Sequence, residues 1–415
     1  MRLPSKSDFP KSKSEFVADL IAGITVAIVA LPLAIGFGIT SGMSAAAGIS
    51  TAIIAGFIAA LFGGSRFQVS GPTGAMTVIL IPVIDKYGIE AIPALGVLAG
   101  LLVILMGLLR MGTLINKVPH FVIEGFTLGI AIIIALQQLP LALGVAKGAG
   151  ERTLEIAYNT VVSGSFNYAA IAVVVTTLIF KFNFERLIRA LKIKFYIPAS
   201  FAALLFGTTV AKVFSLDVNN IGEIPRNVAK FTQPNFEDLY SLLWPALMIA
   251  LLAAIESLLS ARVADSMAHS PAGKGLEPDQ ELLGQGLATG IASIFGGQPA
   301  TGAIARTSVN VRSRANSRLA SMVHALVLLI IILIAAPLFS QIPSAAIAGV
   351  LIGTSIRILN PTNLKETLRT TKKEITVFAI TAVSTIAIDL IWGIAIGLLI
   401  HFLVNLENRS KKRKK

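Results

Sequence analysis

The chain has 415 residues, of which 54% are hydrophobic and 14% charged, and its mean hydropathy is +0.79. Soluble domains carry about a quarter charged residues, so this composition excludes an ordinary water-soluble protein. The chain contains no cysteine, which excludes disulfides, thiolate metal sites and cysteine nucleophiles.

Apolar segments follow one another along almost the whole chain. The first lies behind a polar stretch and has no small-residue cleavage pattern, which indicates a mature transmembrane helix instead of a signal peptide. The third and tenth are too short to cross a bilayer as complete helices. The sequence predicts an all-α membrane protein with fourteen segments, at 17–38, 44–62, 70–83, 91–109, 120–142, 166–182, 197–214, 240–264, 281–295, 302–311, 318–339, 343–356, 374–388 and 390–406.

The placement of the positive charges predicts the orientation of these segments. With the N-terminus in the cytoplasm, twenty-eight of the 35 Lys and Arg residues, Lys181 among them, fall on the cytoplasmic side and six on the outer side. This asymmetry is what the positive-inside rule predicts. It indicates that the net charge of +13 serves membrane topology and not nucleic-acid binding. We expect a multi-pass protein of the inner or plasma membrane with both termini cytoplasmic and the lipid bilayer as a partner.

One element occurs twice, about 230 residues apart. Phe62-Gly63-Gly64 precedes Thr73-Gly74-Ala75, and Phe295-Gly296-Gly297 precedes Thr301-Gly302-Ala303. Seven segments separate the copies, and because seven is odd, the second half must enter the membrane from the opposite side. Inverted repeats with interrupted helices are typical of secondary transporters. The predicted organisation is a cytoplasmic tail (1–16), two inverted repeats (17–214 and 236–406) and a basic cytoplasmic tail (407–415), with no further domain.

The two short segments predict an anion site. Glycine and proline interrupt each helix, and irregular backbone at membrane depth must line a cavity or be buried in protein. Each half-helix then presents free backbone N–H groups and a positive dipole end at the membrane centre, which suits an anion. Arg306 lies deep in the tenth segment. It either adds a fixed positive charge to that site or holds backbone carbonyls at the helix break.

Glu256 is the second ionisable group that we expect inside the membrane. Glu256 and Ser260 are four residues apart and share one helix face. Apolar surroundings favour a protonated carboxyl group, so Glu256 can take up a proton. Alternatively, the oxygens of Glu256 and Ser260 ligate a sodium ion, or Glu256 pairs with Arg306 without a role in transport. The four histidines have no metal-ligand spacing, and no motif indicates an intramembrane enzyme.

Several motifs in order resemble the SulP family of sulfate-permease and bicarbonate-type anion transporters. They are residues 19–32 with Gly36-Phe37-Gly38, Phe62 to Gly64, Ser70 to Thr77, Ile255 to Ser260 with Ala264-Asp265, Glu281 to Gly286, Phe295 to Gly297, and Arg306 to Asn310. The resemblance covers essentially the whole chain.

This resemblance implies a seven-plus-seven inverted-repeat fold, with segments 1–4 and 8–11 as a substrate-carrying core and 5–7 and 12–14 as a gate. It implies an anion site at Thr73, Gly74, Ala75, Gly302, Ala303 and Ile304, with Arg306 behind them. Bicarbonate-type members hold sodium through an Asp and a Thr at the positions of Glu256 and Ser260, whereas members with Glu are thought to couple to protons. The family's usual C-terminal STAS domain has no counterpart in this sequence, either because the member is short or because it was cut before that domain.

We therefore expect a secondary active transporter of a small anion, with bicarbonate or sulfate as first choices and elevator-type alternating access. Coupling to a proton or to sodium is expected at Glu256 and Ser260, with no cofactor other than a possible sodium ion. The alternatives are an uncoupled anion exchanger or channel and a nucleobase–cation symporter of the same fold. A homodimer is possible.

Overall fold

The computed structural model describes residues 4–115, 118–150, 152–162, 164–192, 198–224, 230–268, 275–359, 364, 367–388 and 390–413. Several of the counted charges, such as Lys117, Lys194 and Lys274, lie outside these residues. Helices dominate the described chain. They are α1 (Lys13–Thr40), α2 (Ala45–Phe62), α3 (Gly74–Tyr87), α4 (Ile92–Leu108), α5 (Gly112–Ile115), α6 (His120–Gln137), α7 (Leu139–Leu143), α8 (Thr153–Val162), α9 (Tyr168–Ala190), α10 (Ala199–Val213), α11 (Leu239–Ala268), α12 (Pro278–Ile294), α13 (Ile304–Arg312), α14 (Leu319–Phe339), α15 (Ser344–Ile358), α16 (Lys372–Ala387) and α17 (Leu390–Arg413).

Many of these helices have the length and composition of membrane spans. Among the described residues, six helical stretches are long and apolar enough to cross a bilayer, and three shorter apolar helices accompany them. Large apolar side chains such as Leu101, Ile179 and Ile334 are exposed on their outer faces, as expected of surfaces in contact with lipid. The prediction of a helical membrane protein is therefore confirmed in its general form.

The first and last helices extend into the two predicted tails. Helix α1 begins at Lys13 and not at residue 17, because the side chain of Ser12 accepts a hydrogen bond from the backbone N–H of Glu15 and caps the helix there. Helix α17 continues to Arg413, through most of the predicted basic tail.

The helices pack in two groups. The first group contains α1–α4 and α11–α14, in which α12 packs against α2 and α4, and α14 packs against α1 and α2. The second group contains α6, α9, α10 and α15–α17, with α16 against α6 and α17 and with α15 against α9. Glycines allow the closest approach in the first group: a methyl group on Gly100 of α4 would lie 2.5 Å from the carbonyl oxygen of Gly286 in α12.

The purely helical prediction is wrong at one place. Ser70–Gly71 and Thr301–Gly302 form two short strands that pair antiparallel, Ser70 opposite Gly302 and Gly71 opposite Thr301. Each strand directly precedes a half-helix, α3 or α13. In an apolar environment, every backbone N–H and C=O must find a partner, and two interrupted helices satisfy one another through this pairing.

Lys181 also departs from its prediction, because it is buried within the second group and does not lie at a cytoplasmic surface. Its side chain is 0% exposed, and Nζ donates hydrogen bonds to the carbonyl oxygen of Val350 at 2.6 Å and to the hydroxyl of Thr354 at 2.7 Å. Gly353 of α15 has no side chain, which leaves room for the lysine stem. A stem of four carbons lets the ammonium reach these polar atoms from an apolar helix face.

Candidate functional site

The two half-helices begin beside each other because the strands before them are paired. Helix α3 begins at Gly74 with Thr73 at its N-cap, and α13 begins at Ile304 with Ala303 at its N-cap. Neither N-cap side chain accepts a hydrogen bond from its helix. The N–H groups of both first turns are thus left without a side-chain cap, which is the arrangement that binds anions at helix N-termini.

The two helices leave this junction towards opposite ends of the molecule. The chain after α13 returns to the start of α1, where the carboxylate of Asp19 accepts hydrogen bonds from the N–H groups of Asn316 at 2.6 Å and Ser317 at 3.2 Å. Helix α3 runs instead towards the end of α1, where Ile84 lies 3.6 Å from the position of a methyl group on Gly42. The two positive dipole ends therefore meet in the interior.

Glu256 of α11 lies at this junction. Its carboxylate accepts a hydrogen bond of 3.2 Å from the hydroxyl of Thr73, and it is partly exposed. The adjacent Ser257 lies 3.0 Å from the hydroxyl of Thr301 and accepts a hydrogen bond of 3.0 Å from the N–H of Gly302. The middle of α11 thus contacts the residues before both half-helices. Because a carboxylate and several hydroxyl groups converge here, the junction can bind a proton or a cation next to an anion.

Ser260 is engaged elsewhere. Its hydroxyl donates a 3.0 Å hydrogen bond to the hydroxyl of Thr307 in α13, and the same Thr307 oxygen accepts the N–H of Val69 at 3.0 Å. Ser260 therefore joins α11 to α13 and to the chain before the first strand. Although Glu256 and Ser260 were predicted to act together, the described contacts connect Glu256 to Thr73 and not to Ser260.

Arg306 lies behind the junction and is 1% exposed. Its Nη2 atom donates a 2.8 Å hydrogen bond to the carbonyl oxygen of Pro72, and its guanidinium lies so close to Gly71 that any side chain there would collide with it. Within the described residues, Nη1 is buried without a hydrogen-bond partner, and no ion pair joins Arg306 to Glu256. Arg306 thus clamps the chain before α3 while it brings a positive charge to the junction.

The remaining predicted residues line the same junction. Thr73, Ala303 and Ile304 are partly exposed, whereas Gly74, Ala75 and Gly302 are buried. A methyl group on Gly302 would collide with the amide of Gln68. One on Gly74 would lie 2.6 Å from Cδ1 of Ile134 and 3.0 Å from Cε1 of Phe37. The predicted anion-binding residues thus lie in or beside the second strand and the starts of α3 and α13, whereas the hydrogen bond described for Ser260 goes to Thr307.

Three residues at or behind the junction were missed by the sequence reasoning. They are Thr301 and Ser257 at the junction, and Glu281 in α12. Thr301 occupies the place in the second copy of the repeat that Thr73 occupies in the first, and this correspondence was the available signal. Ser257 and Glu281 lie in motifs that resemble the SulP family, but the partners of their side chains are distant in the chain and could not be read from those motifs.

Glu281 organises the polar layer behind the strands. It is 1% exposed, and its carboxylate accepts the N–H groups of Gly64 and Ser65, both at 2.8 Å, and the amides of Gln68 at 2.6 Å and Gln285 at 2.9 Å. The amide of Gln285 also donates to the hydroxyl of Ser70 in the first strand. Four donors stabilise a buried carboxylate, and the network fixes the loop that leads into that strand.

Comparison with known proteins gives consistent results. The profile of the sulfate permease family matches residues 16–381. The putative sulfate transporter YvdB of Bacillus subtilis is 38% identical over 96% of this chain and 75% of its own length. The bicarbonate transporter BicA of Picosynechococcus is 32% identical over 94% of this chain and 70% of its own length.

Solved structures agree with these sequence matches. The transmembrane domain of a cyanobacterial bicarbonate transporter BicA superposes with a TM-score of 0.82 at 32% identity, covering 92% of this chain and 97% of that one. Murine solute carrier 26 family member A9, an anion transporter, gives a TM-score of 0.84 at 17% identity, covering 96% of this chain and 70% of that one. The second likeness concerns the fold alone.

Proposed function

The chain belongs to the sulfate permease family of membrane anion transporters, and on this premise we propose that it is a secondary active transporter of bicarbonate or sulfate. The observation that carries the proposal is the junction itself. Two uncapped helix N-termini meet across paired strands, with the buried guanidinium of Arg306 behind them. A compact anion fits this arrangement because it neutralises the two positive dipole ends and the fixed charge of Arg306. A nucleobase would instead need side chains that form hydrogen bonds with the edge of the base.

The binding mode follows from the first turns of α3 and α13. Backbone N–H groups near Gly74, Ala75 and Ile304 would donate to the anion oxygens, with the Thr73 hydroxyl at the edge. Small residues at Gly74 and Gly302 let the anion approach the backbone, and Arg306 adds charge from behind. Backbone donors recognise an oxyanion by its shape and charge, so the same N–H groups would bind bicarbonate, sulfate or a small carboxylate.

The transport cycle that we propose is of the elevator type. The two helix groups correspond to a core (α1–α4 and α11–α14) that carries the anion and a gate (α6, α9, α10 and α15–α17) that stays in place. Fourteen segments would form the two inverted repeats, with α3 and α13 as half-helices and both termini in the cytoplasm. The support is that the half-helices and every predicted binding residue belong to the first group, so they can move together. Two such chains would form a homodimer.

Glu256 is the proposed coupling residue, with a proton as the more favoured ion. It is within hydrogen-bond reach of Thr73, at the start of α3, and it is partly exposed. Protonation would remove a negative charge beside the anion, so each binding event makes the other less costly. Sodium, which needs several oxygen ligands, is the alternative, and the hydroxyls of Thr73, Ser257 and Thr301 would supply some of them beside Glu256.

Uptake into proteoliposomes tests the proposal. Labelled bicarbonate, sulfate, chloride and a nucleobase would be offered separately, each with an inward proton gradient, an inward sodium gradient or no gradient. We expect one of the oxyanions to accumulate against its gradient when protons are supplied. Uptake of the nucleobase alone, or no uptake of any anion, would overturn the assignment. If the anion crosses the membrane but neither the proton nor the sodium gradient makes it accumulate above its equilibrium concentration, the result would instead favour an uncoupled exchanger.

A further inference from the structure

A cavity with several polar side chains in a mainly apolar lining lies between the two helix groups, away from the junction. It has a volume of about 150 Å³ and is lined by the end of α1, the distal half of α3, the end of α6, α7 and the first turn of α8. This is the end of α1 opposite to the N-terminus of the chain, which is the outer side in the proposed orientation. We call it the outer cavity, and its polar lining includes Thr40, Asp85, Gln137, Lys147 and Thr153.

The outer cavity contains the positive charge of Lys147, and its ion pair with Asp85 can be broken at a small cost in free energy. Lys147 Nζ lies 2.9 Å from the carboxylate of Asp85, and the two side chains are 40% and 57% exposed. Ion pairs this exposed contribute little net stability, because water and salt screen both charges. An anion that enters the cavity can therefore replace Asp85 as the partner of Lys147 without a large loss.

An uncharged donor complements the lysine. The Nε2 atom of Gln137 is buried and has no hydrogen-bond partner among the described residues, although its side chain lines the cavity. As placed, Nε2 does not face the cavity, so it would donate to a bound anion only after the terminal amide turns by 180° and exchanges the positions of Nε2 and Oε1. The first turn of α8, at Thr153 and Ile156, also lines the cavity and contributes the positive end of a helix.

The outer cavity is separate from the junction. Phe37 lies one helical turn below Ser41, and Ile134 lies just below Gln137 on α6; both side chains pack against Gly74, where they cover the start of α3. These apolar side chains close the route between the two spaces. An anion in the cavity is therefore held above the closure and not at the half-helices.

We propose that the outer cavity is a second anion site, in which Lys147 and Gln137 bind a small oxyanion before the core admits it. The proposal rests on the proposed function for the class of anion and for the sidedness. The carboxylate of Asp85 competes with the ligand for Lys147. The occupancy of the site therefore depends on how readily the ligand displaces Asp85 from Lys147.

Cysteine labelling tests this site without any need for transport. The chain has no cysteine, so Thr153→Cys provides a single thiol on the cavity wall. The probes are an anionic (sulfonatoethyl) and a cationic (trimethylammonioethyl) methanethiosulfonate, applied from outside to proteoliposomes and followed by mass spectrometry. The measured quantity is the ratio of the anionic to the cationic labelling rate, with sulfate or gluconate present at equal ionic strength.

The expected result is specific to Lys147. In the Thr153→Cys background, Lys147→Gln should lower the ratio roughly three- to tenfold, because one unit charge a few ångströms from the thiol is removed. Asp85→Asn should raise it. The matched control is Lys86→Gln, which removes an equal charge from the neighbouring residue that lies over the ring of Tyr87; it should leave the ratio nearly unchanged. Sulfate should slow labelling more than gluconate, and only while Lys147 is present.

Two results would overturn the proposal: equal ratios with and without Lys147, or sulfate that protects no better than gluconate. The proposed function fails by a different measurement, namely if the wild-type protein shows no uptake of any anion. The labelling pattern does not depend on uptake, so it can still be observed in that case. If uptake is normal but labelling ignores Lys147, the junction binds anions and the outer cavity does not.

Discussion

The hydroxyl of Thr73 donates a hydrogen bond to the carboxylate of Glu256, with 3.2 Å between the two oxygens. This contact joins the N-cap residue of α3 to the middle of α11, 183 residues further along the chain. The proposed coupling group is therefore bonded directly to one edge of the proposed anion site. A change in the charge of Glu256 acts on the anion across one hydrogen bond and needs no relay.

Replacement of Glu256 tests the coupling. Glu256→Gln keeps the shape and one oxygen for Thr73 but can neither bind a proton nor carry charge. We expect exchange of labelled anion across the membrane to persist, while accumulation driven by an inward proton gradient falls at least tenfold. Both are measured in proteoliposomes. If wild-type uptake follows a sodium gradient and ignores a proton gradient, the proton assignment is wrong, and Glu256 is then examined as a sodium ligand.

The second prediction concerns Gly302. Gly302→Val should abolish uptake, since the added side chain would collide with Gln68 and crowd the start of α13. The control is Gly290→Ala, where the nearest atoms to the new methyl group are 3.9 Å away, and normal uptake is expected. Size-exclusion chromatography in detergent establishes that both variants fold. Normal uptake by folded Gly302→Val would show that the site lies elsewhere.

Two substitutions of Arg306 distinguish the effect of its positive charge from the effect of its hydrogen bond to Pro72. Arg306→Lys keeps the positive charge but loses the planar guanidinium that reaches Pro72. If the charge is what matters, the lysine variant should retain part of its uptake with a raised KM, whereas Arg306→Met should have none. We expect this order. Equal loss in both variants, with folding intact, would mean that the hydrogen bond to Pro72 is the essential feature.

We expect Glu281 to contribute mainly to the stability of the fold and only indirectly to transport. Glu281→Gln places an amide donor where the carboxylate accepts four hydrogen bonds, so at least one donor among Gly64, Ser65, Gln68 and Gln285 loses its partner. A buried unsatisfied polar group of this kind costs roughly 1–3 kcal/mol. The Tm in detergent should fall clearly, as measured by the fraction that stays monodisperse after heating. An unchanged Tm would contradict the importance of this network.

The orientation prediction can be checked with tags. Tags at Met1 and at Lys415 should both be inaccessible to membrane-impermeant reagents in intact cells and become accessible on permeabilisation. The positive-inside distribution of Lys and Arg is the reason for this expectation. Labelling of one end only would require an odd number of spans and would remove the argument for two inverted repeats.

The sequence by itself determined the features that depend on local composition. Long apolar runs identified a helical membrane protein, and the ordered motifs identified the sulfate permease family, as the family match over residues 16–381 confirms. The first Thr-Gly-Ala triplet marks the beginning of α3 at Gly74, whereas the second precedes α13 by forming the strand Thr301–Gly302, so the repeat located both interruptions but not the exact helix starts. These properties need no knowledge of which distant residues meet.

Only the tertiary structure decided how the polar groups are paired. The pairing of Ser70–Gly71 with Thr301–Gly302, the contact of Glu256 with Thr73 and the bond from Ser260 to Thr307 all join segments far apart in sequence. Helical spacing placed Glu256 and Ser260 on one face, but it could not say which neighbour each would meet. Lys181 is buried for the same reason. In a membrane interior, each polar group must find an internal partner, and packing between helices chooses that partner.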